Sequence, residues 1–177
     1  MPARLTSAIL KHANDIENID ERVTWLRENA TYAVRGLINF NYHKIKFLLP
    51  EGEPDLEGLK VQKEAEDFIL GTEFSHLNHE MKKMYLFYEG GHPTLQQHKR
   101  ESLWVNLITG LHAEERDDVS HMKDKKLQEK YPNITQEVGY LAFPELVEKP
   151  TPLKELLRDD KGRFIQKNKP KKKRKPK

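Results

Sequence analysis

The chain has 177 residues, 36% hydrophobic and 33% charged, with 31 Lys/Arg against 28 Asp/Glu and no cysteine. Without thiols it cannot form disulfides, thiolate zinc sites or cysteine nucleophiles, and no stretch approaches the roughly 20 apolar residues of a membrane span. The length suits one compact domain with a tail, and the modest apolar content favours helices with one buried stripe over strands buried on both faces.

The N-terminal apolar run is too short and too interrupted for a signal peptide, so the chain reads as soluble and intracellular. Leu5, Ala8, Ile9, Ala13 and Ile16 recur at steps of three and four, predicting a first amphipathic helix that ends between Asn14 and Asn18. Asp20 is placed to cap a second helix with Val23, Leu26 and Ala30 inward, and Thr31 a third running through Val34, Leu37 and Ile38. Phe47-Leu48-Leu49 then meets Pro50, Gly52 and Pro54, which stops the helix and predicts a loop over 50–61.

Phe74, Leu77, Met81, Met84, Tyr85 and Tyr88 step by three and four over four turns, with Gly90-Gly91 where a C-cap belongs. Thr94 and Gln97 have capping-box spacing and open a helix presenting Leu103, Trp104, Leu107, Ile108 and Leu111. Ala113 to Met122 is a further helix, and Asn133 or Thr135 caps a last one bearing Ile134, Val138 and Leu141, stopped at Pro144. Phe74, Leu77, Met81, Tyr85, Leu103, Leu107 and Val138 are expected to share one core. The expectation is an all-α, bundle-like single domain over 1–150. A linker or short docking turn bearing Leu153, Leu156 and Leu157 follows over 151–160, and a disordered basic arm over 161–177.

Phe47-Leu48-Leu49-Pro50-Glu51-Gly52, Tyr88-Glu89-Gly90-Gly91, Lys99-Arg100-Glu101, His121 to Leu127 and Phe143-Pro144-Glu145-Leu146 stand in this order along the chain. Over residues 30–147 the chain thereby resembles a family of small proteins encoded by T-even-type tailed phages. The resemblance implies a phage source, an accessory role and the host cytoplasm as compartment, and it carries no catalytic or binding residue across.

Glu114, Asp117, Asp118 and His121 fall at i, i+3, i+4 and i+7 on one helical face, a pattern that can hold Mg²⁺ or Mn²⁺. The ordinary alternative is preferred: acids in the first turns and Lys123, Lys125 and Lys126 at the far end suit the dipole of any solvated helix. Glu73-x-x-His76, with His79 one turn on, has the spacing of a di-metal carboxylate bundle. Its only companion, Glu89-Gly90-Gly91-His92, runs through a helix-breaking pair. No phosphate loop, dinucleotide fingerprint or nucleophile elbow is present, so the reading is non-catalytic, with no cofactor or metal.

A helix-turn-helix over 95–111, 113–123 and 134–142 is rejected, because the last two helices lie too far apart and Ile134 to Leu141 carries no Arg or Lys. Within the body, Lys82, Lys83, Lys99, Arg100 and the Lys123 to Lys126 cluster are the cations that could touch phosphates. The strongest signal is the arm. Residues 161–177 carry ten Lys/Arg and no acid, which leaves 21 basic residues against all 28 acids in the rest, a formal −7. Lys167, Lys169, Lys171, Lys172, Lys173, Arg174, Lys175 and Lys177 are the expected phosphate contacts to DNA or RNA, without sequence preference and with no membrane role. The runner-up is a module that binds a host or phage enzyme through its helical body, the tail being incidental.

Overall fold

A computed structural model describes residues 5–54, 56 and 76–150. Among them the fold is all-α, with no strand beyond an isolated bridge between Phe47 and Tyr88. Helix α1 (Thr6–Asp15) buries Thr6, Ile9, Leu10 and Ala13 and leaves Ala8 exposed. The buried stripe is thus turned from the expected one, because Thr6 and Ser7 bond to glutamates of another helix. Helix α2 (Ile19–Asn29) starts two residues earlier than Asp20 suggests. Asn18 Oδ1 accepts from the amides of Asp20 and Glu21 at 2.8 and 3.2 Å, so Asn18 is the cap and Asp20 lies inside the first turn.

Helix α3 (Tyr32–Tyr42) is capped by Thr31, whose hydroxyl accepts from Val34 N at 3.3 Å, as expected. It buries Ala33, Val34, Leu37, Ile38 and Asn41, and α1 packs against it. After α3 the chain runs extended. Leu48 N donates to Phe87 O at 2.8 Å and Glu89 N to Lys46 O at 2.9 Å, before a turn in which Gly52 has φ +82°. This turn falls where the loop was expected; most of residues 55–75, including Phe74, lie outside the described residues.

The four-turn helix expected from 74 to 88 is not formed. A single turn, α4 (Leu77–Glu80), passes into a 3-10 segment, Met81–Leu86. At three residues per turn Met81, Met84 and Phe87 all reach the core, while Tyr85 is swung out to 47% exposure and leaves the expected core set. Gly90-Gly91 is a tight return rather than a helix cap. Gly90 has φ +85°, Gly91 N donates to Tyr88 O, and a Cβ on Gly91 would lie 2.0 Å from the Tyr85 carbonyl.

Helix α5 (Gln97–Thr109) begins after Gln96, and Thr94 does not cap it: the Thr94 hydroxyl sits 3.4 Å from His92 Nδ1 instead. Trp104, Leu107 and Ile108 are buried as expected, with Leu111 just beyond, while Leu103 is half-buried. Helix α6 (Ala113–Lys123) matches expectation. A short helix, α7 (Leu127–Lys130), was not anticipated; it buries Leu127 and is followed by the buried Tyr131.

Helix α8 (Gln136–Ala142) is capped by Thr135, which accepts from Val138 N at 3.2 Å. Asn133 instead ties the chain to the end of α1, donating through its side chain to Asn14 O and through its amide to Asn14 Oδ1. Ile134 and Val138 are buried, but Leu141 is 37% exposed, because the turn into Phe143 puts Ala142 and Phe143 on the core side. Helix α8 lies along α2 and also meets α3, where an added Cβ on Gly139 would come within 3.0 Å of Ile38. Helices α1, α6 and α8 and the 77–87 segment thus surround α3.

Candidate functional site

Helix α6 carries the densest group of ionisable side chains described, and its neighbours decide what each does. Glu114, in the first turn, accepts from Lys11 Nζ at 2.5 Å and from the Ser7 hydroxyl at 2.9 Å. The Lys11 hydrogen bond holds its carboxyl below the ordinary carboxylate range. Glu115 is buried and accepts from Thr6 N at 2.9 Å and Leu77 N at 3.3 Å, so one carboxylate satisfies an amide at the start of two other helices. Asp117 lies 2.5 Å from Lys130 Nζ and 2.9 Å from His121 Nδ1.

Asp118 is fully buried. Its Oδ1 accepts from Tyr131 OH at 2.8 Å and pairs with Lys130 at 2.6 Å, while Oδ2 has no hydrogen-bond partner among the described residues. Burial pushes its carboxyl up to about 6 despite the lysine. Burial works against the charge of Lys130 as well, but hydrogen bonds to Asp117 and Asp118 hold its ammonium above the ordinary lysine value. Burial, together with the Asp118 charge, raises the Tyr131 phenol.

The Glu114, Asp117, Asp118 and His121 face is therefore an ion-pair network, its acids drawn to Lys11 on one side and Lys130 on the other. Among the described residues no three His, Asp or Glu side chains form a group that could hold a metal ion. Glu73 lies outside the described residues. His76 and His79 stand with ring centroids 6.5 Å apart, and His92 stacks on Tyr85 across the Gly90-Gly91 return.

Most of the basic residues singled out in the body are engaged in the same manner. Arg22 turns inward and donates to the carbonyls of Ala13, Ile16 and Asn133. Arg100, singled out as a possible phosphate contact, is buried and donates to Leu86 O at 2.9 Å, to His92 O and to Gln97. Lys123 is buried and bonds Pro50 O at 2.7 Å and Asp124, whose other oxygen accepts from Gly52 N. Lys125, at φ +62°, reaches the carbonyls of Phe40 and His43 at the C-terminus of α3, where a cation is favoured by the helix dipole. Lys126 pairs with Glu51 at 3.0 Å and Lys83 with Glu80 at 2.7 Å. Lys82 and Lys99 are exposed.

These contacts bring four of the five motif blocks together. The 47–52 segment is bridged to Tyr88, held by Lys123, Asp124 and Lys126, and bonded through Leu48 O to Gln97 Nε2, one turn before Arg100. Residues 9–129 match a family of unknown function, DUF6433. The chain belongs to that family. The part of the DUF6433 chain that matches runs from α1 through α7; it includes the α6 network and this clamp and ends before α8 and the basic arm. No curated protein and no solved structure matches it.

Sequence reasoning missed Lys11, Glu115, Lys130, Tyr131 and the inward turn of Arg22 and Arg100. For the arginines a signal exists: Arg22 precedes the buried Leu26 by four residues, and Arg100 precedes Trp104 by four and Leu107 by seven, so each occupies a position of the buried stripe. The eight arm residues Lys167 to Lys177 lie outside the described residues, as do Leu153, Leu156 and Leu157. Among the described residues no helix is long and apolar enough to cross a membrane.

Proposed function

We propose that this chain is a non-catalytic accessory protein of a tailed phage, acting in the host cytoplasm. In this reading it binds nucleic acid through its C-terminal arm while the helical body docks on another protein. The observation that supports the arm, rather than the body, as the phosphate contact is the engagement of body cations. Arg22, Arg100, Lys123, Lys125, Lys126 and Lys130 all donate to carbonyls or carboxylates of the fold. Residues 161–177 hold ten Lys/Arg with no acid among them. A cationic segment of this composition neutralises phosphates without reading base edges, so DNA and RNA are bound without sequence preference.

The test is anisotropy of a labelled 20-base-pair duplex and a 20-nucleotide RNA titrated with the full chain across salt concentrations. With all eight Lys/Arg from Lys167 to Lys177 engaged on the duplex, log affinity falls with log salt at a slope of at most about −7. Replacing Lys171, Lys172, Lys173 and Arg174 together by Gln is expected to remove about half of that slope and most of the affinity on both probes. Affinity unchanged by the fourfold replacement overturns the reading.

A further inference from the structure

A shallow, open groove of about 390 Å³ lies between the end of α1 and the outer face of α2, lined by Ile16, Asp20, Glu21, Thr24, Trp25 and Glu28. Its floor is apolar: Ile16 and the indole of Trp25, against which the His12 ring packs at 4.1 Å. Its rim is acidic. Asp20, Glu21 and Glu28 are exposed and make no ion pair among the described residues, unlike Glu51, Glu80, Glu114, Asp117, Asp118, Asp124 and Glu148. The two arginines of α2 do not offset this charge locally, since Arg22 is turned into the core and Arg27 donates to Leu141 O at 2.6 Å on α8. No lysine occurs between Lys11 and Lys44.

We propose that this groove is the docking site of the chain's own basic arm, residues 167–177, and that nucleic acid displaces the arm from it. Complementarity of charge selects the occupant. Lysine presents an aliphatic stem for an apolar floor and an ammonium for an acidic rim. The point where the described chain ends also selects it. Gln136 Nε2 donates to Glu148 O, which sets the departing chain beside the first turn of α8, and Arg22 Nη1 joins the Asn133 carbonyl at that same end to α2. Residues 151–166 lie between that exit and the arm, and sixteen residues reach at most about 55 Å, more than enough to return to α2. Over such a tether the effective concentration of the arm is of the order of millimolar, so weak contacts suffice for occupancy. A duplex displaces the arm because its closely spaced phosphates release counterions that three carboxylates do not.

The displacement half rests on the arm being the nucleic-acid contact; the docking half does not, and one experiment separates them. The chain has no cysteine, so Lys172→Cys provides a unique site for a nitroxide in the full-length protein. Paramagnetic broadening of amide signals is expected at Asp20, Glu21, Thr24, Trp25 and Glu28, and adding a 20-base-pair duplex is expected to relieve it. Broadening confined to other helices, or absent, overturns the docking. Broadening at α2 with no duplex binding by anisotropy leaves the docking standing and overturns the nucleic-acid reading. Mixing nitroxide-bearing unlabelled chains with ¹⁵N-labelled chains lacking the nitroxide distinguishes the chain's own arm from that of a second copy, and broadening in the mixture overturns the intrachain contact. In the Glu21→Gln/Glu28→Gln variant the broadening is expected to weaken and duplex affinity to rise about two- to tenfold, as for the loss of two exposed ion pairs. The same neutralisation at the exposed Glu137 and Glu145 is the control for net charge; an equal rise there overturns the competition.

Discussion

Helices α2 and α6 are each eleven residues long and each opens with two acids, yet those acids do opposite work. On α6 every acid is met by a partner: Glu114 by Lys11, Glu115 by the amides of Thr6 and Leu77, Asp117 and Asp118 by Lys130. On α2, Asp20, Glu21 and Glu28 face solvent along the outer groove. The difference is not in composition, capping or helix length. It lies in which distant segments pack alongside, since α6 runs between α1, α3 and α7, whereas α2 buries one face against α1 and α8 and presents the other outward. An acidic helix is therefore a structural keystone or an outward electrostatic surface according to its neighbours.

The contrast breaks most directly at Lys130. Lys130→Met removes the ammonium from Asp117 and from the buried Asp118, and stability near pH 7 is expected to fall by about 3 to 5 kcal/mol in urea melts. At pH 5 the loss should be smaller, because a carboxyl pushed up to about 6 takes up a proton there and no longer needs the lysine. A cost below about 1 kcal/mol at pH 7 would make the α6 network as dispensable as the α2 surface.

Asp118→Asn sharpens the same point through pH. The folded-state value of about 6 lies above the ordinary 3.8, so between them the folded chain binds the proton that the unfolded chain does not. This group's contribution to stability therefore increases as pH falls from about 6 toward 4 and is lost as pH rises back through 6. Comparing parent and Asp118→Asn from pH 7 to pH 4 is expected to show a relative gain by the parent of about 2 to 3 kcal/mol. Glu114, lowered by Lys11, works in the opposite direction and below its ordinary value, and it cancels in the comparison.

How much of this was legible in the sequence depends on the range over which the deciding contact acts. Thr31 and Thr135 are legible as caps because the hydroxyl and its amide lie three residues apart. Thr94 with Gln97 has equally good spacing and fails, because the Gln97 side chain is drawn to Leu48 O, forty-nine residues away. Asn18 outcompetes Asp20 by taking two amides at once. The apolar steps from Leu77 to Tyr88 fit both a 3.6- and a 3.0-residue turn, and only the Phe47–Tyr88 bridge and the close approach of Gly91 to the Tyr85 carbonyl select the tighter one. On α6 the four face residues are readable as a set, but the meaning of that set comes from Lys11 and Lys130, which sequence spacing does not connect to it.

A smaller effect is expected at Glu115. Its two oxygens each accept one backbone amide, from Thr6 and from Leu77. Glu115→Gln keeps the shape but offers a single accepting oxygen, and its NH₂ group would face a second donor. The loss should be about 1 to 2 kcal/mol, read as a lower denaturation midpoint with unchanged slope. Amide exchange at Thr6 or Leu77 should rise with it, because one of those N–H groups loses its acceptor.

The smallest expected change in stability belongs to α2, and its smallness carries the comparison. Glu21 lies in the first turn, where a negative charge is favoured by the helix dipole, and Glu28 lies in the last turn, where it is disfavoured. Neutralising both therefore removes two terms of opposite sign, each below about 1 kcal/mol, and neither side chain has an ion-pair partner to lose among the described residues. Glu21→Gln/Glu28→Gln is expected to melt within about 0.5 kcal/mol of the parent in 1 M salt, where the arm contact is screened, and to lose about 0.4 to 1.4 kcal/mol at low salt, the equivalent of a two- to tenfold weaker arm contact. A loss above about 1.5 kcal/mol would mean that these acids hold the fold as those of α6 do. A change within the expected range, accompanied by altered arm contacts, would leave the acids of α2 a role outside folding, as an electrostatic surface that the fold keeps facing outward.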